Sequence, residues 1–129
     1  MAEQPNKELI IIDTSEPFKN KLLEDILSIN QGHVPLVGSL ENEKDLENLL
    51  KMSFLFAITK ENNEITSFIV CLREGEQYKS LNYAYFSEKY KKFLYIDRIG
   101  VKNGHQNKGL GSLLYKKMDQ ISNQIGLPI

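Results

Sequence analysis

A strand, a glycine-containing loop and an amphipathic helix follow one another in the last third of the chain. Residues 93–101 are apolar on both faces of a strand, apart from Asp97 and Arg98, as is usual where a strand is covered on both sides. The loop that follows contains residues 106–111, which read Gln-Asn-Lys-Gly-Leu-Gly. Apolar residues at helical spacing come next, and they end at a glycine and a proline. The pattern therefore predicts a strand–loop–helix unit at residues 93–125.

Hydrophobic spacing and turn residues predict the other elements. In chain order they are a strand at 9–12, a helix capped by Thr14 or Ser15, a helix capped by Ser39, paired strands at 54–59 and 65–72, a short helix near 83–90 and a last helix at 109–124. The polar residues between the paired strands indicate a hairpin. Such a succession of strands and helices predicts an α/β or α+β fold, with helices on both faces of the sheet.

The composition of the chain limits the kinds of ligand and partner that it can bind. The chain has 129 residues, which suggests one domain, and 41% of them are hydrophobic and 26% charged, as in globular proteins. A net charge of −1 gives no general attraction to nucleic acid or to an anionic membrane. No apolar run approaches the ~20 residues that span a bilayer, and no spacing of His, Cys, Asp and Glu indicates a metal. The single cysteine, Cys71, excludes an intrachain disulfide and fits a cytoplasmic protein.

The start of the last helix has the chemistry of an anion site. The first N–H groups of a helix have no partner inside it, and the helix dipole adds about half a positive charge there. Gly109 and Gly111 lack side chains, so the backbone can approach phosphate oxygens closely. Lys108 adds a positive charge beside them. We therefore expect a phosphate group of a ligand at this loop.

Spacing excludes two common phosphate-binding motifs. Gly104 and Gly109 are separated like the two glycines of a P-loop, but the lysine and the hydroxyl residue that should follow are Leu110 and Gly111. A dinucleotide fingerprint that starts at Gly109 would need a third glycine at position 114, where the chain has leucine. Neither an NTPase nor a dinucleotide-binding protein is therefore indicated.

What remains is a Gln-x-x-Gly-x-Gly segment after an apolar strand, formed by Gln106, Gly109 and Gly111. In this respect the chain resembles the GNAT superfamily of acyl-CoA-dependent N-acyltransferases, in which such a segment opens the helix after the central strand. The upstream order of elements is also similar, so the resemblance covers essentially the whole chain, although only the six-residue motif is specific. The resemblance implies a mixed central sheet with elements in the order β-α-α-β-β-β-α.

The resemblance also implies a co-substrate and a reaction. Acetyl-CoA would lie with its pantetheine arm along the end of the 93–101 strand and its pyrophosphate on the loop and the helix start. The residues implied in binding it are Ile99, Gly100, Val101, Gln106, Asn107, Lys108, Gly109, Leu110, Gly111 and Ser112. A neutral amine of a small molecule or a peptide would attack the thioester directly, while a base removes its proton and a backbone N–H polarises the carbonyl.

Three side chains, Asp97, Tyr95 and His33, are candidates for the catalytic groups. Asp97 is the only carboxylate of its strand, and simple alternation places it on one face with Tyr95 and Ile99, with Arg98 on the other face. Asp97 would act as a base or as an anchor for the ammonium group, and the alternatives are an ion pair with a basic neighbour or a solvated position on the strand. His33, in the loop between the first two helices, would transfer protons near neutral pH or be a solvated loop residue.

The chain departs from the resembled family at its C-terminal end, where a further strand, a helix and a hairpin usually follow. We therefore expect residues 1–129 to form one incomplete domain, with a dimer partner or a completing chain covering the open edge of the 93–101 strand. Three hypotheses stay open: an N-acetyltransferase, an acyl-CoA-binding module without catalysis, and an interaction subunit completed by a partner chain. The acceptor amine also stays open, because acceptor pockets are formed by variable loops.

Overall fold

The computed structural model describes residues 7–33, 40 and 42–129, which contain four strands and four helices. In chain order they are β1 (Lys7–Ile11), α1 (Asn20–Gln31), α2 (Glu43–Met52), β2 (Leu55–Glu61), β3 (Glu64–Arg73), α3 (Leu81–Lys89), β4 (Leu94–Val101) and α4 (Leu110–Ile125). The strands form one sheet in the order β1-β2-β3-β4, and every described pair is antiparallel where a mixed sheet was implied. The predicted α+β class and order of elements are confirmed, and the short helix expected near 83–90 is α3.

The turn between β2 and β3 is shorter than expected. Only Asn62 and Asn63 connect the two strands, because Glu61 pairs with Glu64. Both asparagines have positive φ angles, 53° and 66°, as in the type I′ turn, whose twist matches that of a hairpin. Asparagine tolerates this conformation better than most residues with a side chain. The polar residues on either side therefore belong to the strands and not to a loop.

The first two helices begin later than their capping signals suggested. The Asp13 carboxylate accepts hydrogen bonds from the N–H and the hydroxyl of Ser15, so this segment is a turn, and α1 starts after it without a side-chain cap. The expected start at Ser15 is therefore wrong. α2 begins after Asn42, whose side-chain oxygen accepts from the N–H of Asp45 at 3.0 Å. Ser39, the expected cap, lies outside the described residues.

The sheet has a hydrophobic core on each face. On one face, α1, α2 and α3 pack over the strands, and the largest fully buried side chains there are Ile26, Leu46, Leu50, Phe56, Phe68 and Leu72. On the other face, α4 packs against the sheet, and the buried residues are Ala57, Ile69, Cys71, Leu94, Leu114 and Met118. Helices thus cover both faces, as expected. No helix in the described ranges has the length and apolar character needed to cross a bilayer.

β4 is the edge strand of the described sheet and not a central strand. Both of its faces are nevertheless covered, because Tyr95 packs in the core under α3, whereas Ile96 and Ile99 pack with α4. At the start of the strand, the N–H of Leu94 donates to the carbonyl of Pro128, 2.9 Å away. The candidate site lies along the rest of this edge and at the loop that follows.

Candidate functional site

The loop after β4 and the start of α4 form an open backbone turn. Three residues of the loop have positive φ angles, namely Gly104 (89°), Asn107 (66°) and Gly109 (78°). Gly109 is the N-cap of α4, no side chain caps the helix there, and the first helical turn contains no acidic residue. A Cβ atom built on Gly104 or on Gly109 would meet nothing within 4 Å. An anion can therefore approach this backbone without displacing a side chain.

The N–H groups of this turn are available to a ligand. Within the described part of the chain, none of the N–H groups of residues 106–112 donates a hydrogen bond to the protein. The first helical bond of α4 is made by Leu113, whose N–H donates to the carbonyl of Gly109 at 3.0 Å. The structure thus brings the residues predicted to bind pyrophosphate into one turn, where backbone donors and the helix dipole act together.

Charged side chains flank this turn on the side of the β2–β3 hairpin. Lys108 Nζ lies 3.4 Å from Nδ1 of His105, and these two nitrogens lie 3.9 Å and 3.4 Å from the carboxylate of Glu61. Glu61 is only 7% exposed, and the contact with His105 lacks hydrogen-bond geometry, so its Oε2 atom has no hydrogen bond to any described residue. Lys102 also forms an ion pair with Glu64. Charge pairs therefore tie the loop to the hairpin, with the Lys108 ammonium near the Glu61 carboxylate.

The edge of β4 presents backbone groups next to this turn. Just after the strand, the N–H of Lys102 donates to the carbonyl of Thr66 at 2.8 Å. Backbone groups alternate in direction along an antiparallel strand, so those of Gly100 also face β3, while those of Ile99 and Val101 face the outer edge. An extended ligand with amide groups can add to such an edge as a further strand does. The outward groups of Ile99 and Val101 thus lie on the unpaired side of the described sheet, whereas those of Gly100, which was also implied in pantetheine binding, face β3.

His33 occupies the last of these edge positions. Its Nε2 atom lies 2.7 Å from the carbonyl oxygen of Val101 and 3.0 Å from the backbone nitrogen of the same residue. Because His33 follows Gly32, the C-cap of α1, the end of that helix brings the imidazole to β4. This candidate from the sequence therefore contacts the backbone of the strand and is half-buried, in contrast to the alternative of a solvated loop residue.

A β-bulge changes the expected placement of Asp97. Val70 of β3 pairs with Arg98, but the next residue of β3 pairs with Ile96, so Asp97 is an extra residue in β4. The regular alternation of side chains between the two faces of β4 is interrupted at Asp97. Asp97 and Arg98 turn to the same side, where Oδ2 of the aspartate accepts from Nε of the arginine at 2.7 Å. The expected separation of these two residues is therefore wrong, and so is the shared face of Asp97 with Ile99, which packs with α4.

The ion pair of Asp97 and Arg98 is buried, because each side chain is 5% exposed. Arg98 also donates to the side-chain oxygen of Asn30 in α1 at 2.9 Å and to the hydroxyl of Tyr78 at 3.2 Å. Burial alone would lower the pKa of Arg98, but the charge of Asp97 and the hydrogen bonds outweigh it and raise that pKa. Burial, and to a smaller extent the hydrogen bond to Asp97, raises the pKa of Tyr78 to about 12. The network joins the end of α1 to the middle of β4 and keeps Asp97 as a paired charge.

Tyr95 lies in a cluster of aromatic rings between α3 and β4. Its ring centroid lies 5.4 Å from that of Tyr83, in an edge-on contact, and 5.7 Å from that of Phe86. The hydroxyl of Tyr83 donates to the carbonyl of Arg73 at 2.6 Å, so this residue fastens α3 to the sheet. In contrast, the hydroxyl of Tyr95 makes no hydrogen bond to another described residue. Tyr95 therefore combines a packed ring with a hydroxyl that a ligand can use.

Three residues that shape the site, Asn30, Tyr78 and Glu61, were missed in the sequence. Asn30 is completely buried on α1, and a polar residue among the apolar positions of a helix is the signal that could have identified it. Tyr78 was one of several tyrosines in a polar segment, with nothing to distinguish it. Glu61 lay in a segment interpreted as a loop, so its burial was not expected. Nowhere in the described residues do three His, Cys, Asp or Glu side chains form a group that could hold a metal.

The chain is similar in sequence and in structure to acetyltransferases. A profile described as the Acetyltransferase (GNAT) family matches residues 22–128. Comparison with curated proteins finds no match in sequence. Among solved structures, an aminoglycoside acetyltransferase from an uncultured soil metagenomic sample, in complex with trehalose, is 16% identical with a TM-score of 0.64, over 94% of this chain and 72% of that chain.

Two further solved structures are similar to this chain to the same degree. The aminoglycoside N-acetyltransferase AAC(6')-Iy in complex with CoA is 9% identical with a TM-score of 0.65, over 98% of this chain and 76% of its own. A ribosomal-protein-alanine N-acetyltransferase from Brucella melitensis biovar Abortus 2308 is 10% identical with a TM-score of 0.62, over 95% of this chain and 75% of its own. At these identities the likeness is one of fold.

Proposed function

We propose that this chain, which belongs to the acetyltransferase (GNAT) family, binds acetyl-CoA and transfers its acetyl group to an amine of a small molecule or a peptide. The observation that carries the proposal is the row of N–H groups at residues 106–112, which have no partner in the described part of the chain. They lie at the N-terminus of α4 and directly after an edge strand. A helix N-terminus suits a pyrophosphate, and a strand edge suits the amide groups of a pantetheine arm.

In this proposal each part of acetyl-CoA has its own binding residues. The pyrophosphate would accept hydrogen bonds from the N–H groups of residues 107–112, with the Lys108 ammonium beside it. The pantetheine amides would pair with the outward backbone groups of Ile99 and Val101. Gly100 lies between these two and lets α1 pack close to the strand, since a Cβ atom there would lie 3.0 Å from Cγ2 of Ile29 in α1 and 2.6 Å from the ring of Phe68 in β3. A protein of the same fold, AAC(6')-Iy, is in complex with CoA, which supports this choice of ligand.

The reaction would form a bond between the amine nitrogen and the acetyl carbon and break the carbon–sulfur bond, with one proton leaving the amine. His33 is our first choice for accepting that proton through water, because the end of α1 holds its side chain next to this part of β4. Asp97 is buried and paired with Arg98, so it would act as a base or as an anchor for the ammonium group only if that ion pair opened. The hydroxyl of Tyr95 would donate a proton to the departing thiolate.

Isothermal titration calorimetry with acetyl-CoA tests the binding site. We expect the wild-type chain to bind and Gly109→Glu to lose binding, because the new carboxylate would lie where the phosphates lie. Gly126→Glu is the matched control, since Gly126 caps the other end of α4 with a similar φ of 72° against 78° for Gly109. Both substitutions strain the backbone similarly, so they separate loss of binding from loss of stability. Binding that is absent in the wild type, or unchanged in Gly109→Glu, refutes the proposal.

A second function, acyl-CoA binding without catalysis, is favoured by one observation. The only carboxylate of β4 is neutralised by a buried arginine and does not stand free in the site. Release of free CoA thiol in the presence of a panel of small amines and peptide N-termini distinguishes the two functions. Release that depends on the amine supports the transferase, whereas tight binding with no release for any amine supports the binding module.

The edge of β4 also bears on the third hypothesis, an interaction subunit. The first part of the strand borders an apolar groove of about 260 Å³, which is lined by Tyr90, Phe93, Tyr115 and Ile129 among others. We propose that a second chain packs into this groove beside Pro128, whose carbonyl already accepts from the N–H of Leu94, while the last part of the edge, with Ile99 and Val101, binds acetyl-CoA. Light scattering would show a dimer or a mixed complex.

We also propose a cytoplasmic location, which a reduced Cys71 would suit.

A further inference from the structure

We propose that the imidazole of His33 acts as a plug on the edge of β4, which it closes in the free protein and which the pantetheine arm must displace in order to bind. The contact that carries the inference joins Nε2 of His33 to both backbone groups of Val101. It rests on the proposed function, because it concerns the part of the strand edge that would receive the pantetheine arm.

The geometry of the contact makes His33 an imperfect partner for Val101. A ring nitrogen carries either a proton or a lone pair, so it can donate to the carbonyl at 2.7 Å or accept from the N–H at 3.0 Å, but it cannot do both. In one tautomer the N–H of Val101 faces the ring N–H, and in the other its carbonyl oxygen faces the ring lone pair. The contact therefore satisfies about half of the hydrogen-bonding capacity of this position.

An amide group does not have this limit, because it has both a donor and an acceptor. A strand-like ligand can therefore satisfy the N–H and the carbonyl of Val101 together, as a neighbouring strand would. The exchange of the imidazole for an amide converts one hydrogen bond into two. The gain of one hydrogen bond favours binding of the ligand. The ligand must nevertheless break the contact of His33 with Val101, so its affinity is lower than it would be for an edge that His33 did not occupy.

The plug can leave without disturbing the strand. The side chain of His33 makes no other hydrogen bond to the described residues, whereas β4 stays attached through its pairing with β3 and through the bond from Lys102 to Thr66. A cavity of about 190 Å³ lies between the C-terminal end of α1 and the end of β4, next to Val101. The ring is also half-buried and not locked in a core, so its displacement requires only a change of side-chain conformation.

Calorimetry with two ligands tests the inference. CoA has the pantetheine arm, whereas adenosine 3′,5′-bisphosphate has the nucleotide and lacks the arm. We expect His33→Ala to bind CoA about 3- to 10-fold more tightly than the wild type, as the loss of one competing hydrogen bond predicts, and to bind the bisphosphate with unchanged affinity. In the wild type, the ring resonances of His33 should shift on addition of CoA and not on addition of the bisphosphate.

Gln31→Ala is the matched control for a general loosening of this region. Its side chain bonds to the backbone of Leu40 at 2.9 Å and to the side chain of Asn30 at 3.0 Å, and it has no hydrogen bond to the described residues of β4. We expect its CoA affinity to equal that of the wild type. The plug is refuted if His33→Ala binds CoA no better than the wild type, if the gain also appears with the bisphosphate, or if Gln31→Ala shows an equal gain. Absence of CoA binding in the wild type and in Gly126→Glu refutes the proposed function and the plug together, whereas normal binding without a gain in His33→Ala refutes only the plug.

Discussion

Gly100→Ala tests how closely α1 packs on the strand that we assign to acetyl-CoA. A Cβ atom at this position would lie 2.6 Å from Cε1 of Phe68 and 3.0 Å from Cγ2 of Ile29. Phe68 is completely buried, so neither its ring nor the α1 side chain can move without disturbing the core. Overpacking of this kind costs about 1–3 kcal/mol, and the lower entropy of the unfolded alanine chain offsets about 0.4–1 kcal/mol of it. We expect a net loss of about 1–2 kcal/mol in the free energy of unfolding.

Urea denaturation followed by circular dichroism measures this loss. Gly111→Ala is the control, because its Cβ atom would meet its nearest neighbour, Ile99 Cγ2, only at 3.9 Å, and we expect a gain of about 0.5–1 kcal/mol from the removal of a helical glycine. Phe68→Leu should couple with Gly100→Ala, so that the double variant is less destabilised than the sum of the single variants by at least about 0.5 kcal/mol. Wild-type stability in Gly100→Ala, or strict additivity in the double variant, would show that the close contact does not exist in solution.

Four further predictions concern a buried charge, the lone thiol (two predictions) and the hairpin turn. Asp97→Ala should lose about 3–5 kcal/mol of stability in urea denaturation, because it removes the Asp97 carboxylate from a buried guanidinium, and adding Arg98→Met should restore part of the loss. An Asp97→Ala protein of normal stability contradicts this prediction. Burial, with a smaller effect of the Asp97 charge, raises the pKa of Cys71 from 9.0 to about 12, so the native thiol should not react with Ellman's reagent at pH 8 until urea unfolds the chain. The folded-state pKa of Cys71 is the higher one, so its contribution to stability should be complete below pH 9 and decline as the pH rises toward 12, which denaturation at several pH values checks. Asn63→Ala should lower the melting temperature by the equivalent of about 1 kcal/mol because its φ is positive, whereas Asn63→Gly should not.

The backbone turn at residues 106–111 could be predicted because its chemistry is local. A helix start has unpaired N–H groups wherever it occurs, and glycines at positions 109 and 111 keep that backbone open in any tertiary context. The spacing of apolar residues likewise predicted the class and order of the elements. A strand or helix that buries one face repeats its apolar residues with its own period, and that period is visible in the sequence. The errors at element ends, such as the start of α1, came from polar residues that satisfy each other in turns.

The partners of the site residues could not be predicted in this way. His33 and Val101 are 68 residues apart, and so are Asn30 and Arg98. Their contacts depend on where α1 crosses the sheet, which no local spacing encodes.

The placement of Asp97 shows the same limit within a single strand. One extra residue in the β3–β4 register turns its carboxylate toward Arg98, and the period of two that a sequence reveals assumes a regular ladder. The sequence by itself therefore determined the open turn at residues 106–111, because that turn depends on neighbours along the chain. Only the tertiary structure decided which side chain pairs with Asp97 and which one reaches Val101, because those contacts depend on strand register and helix packing.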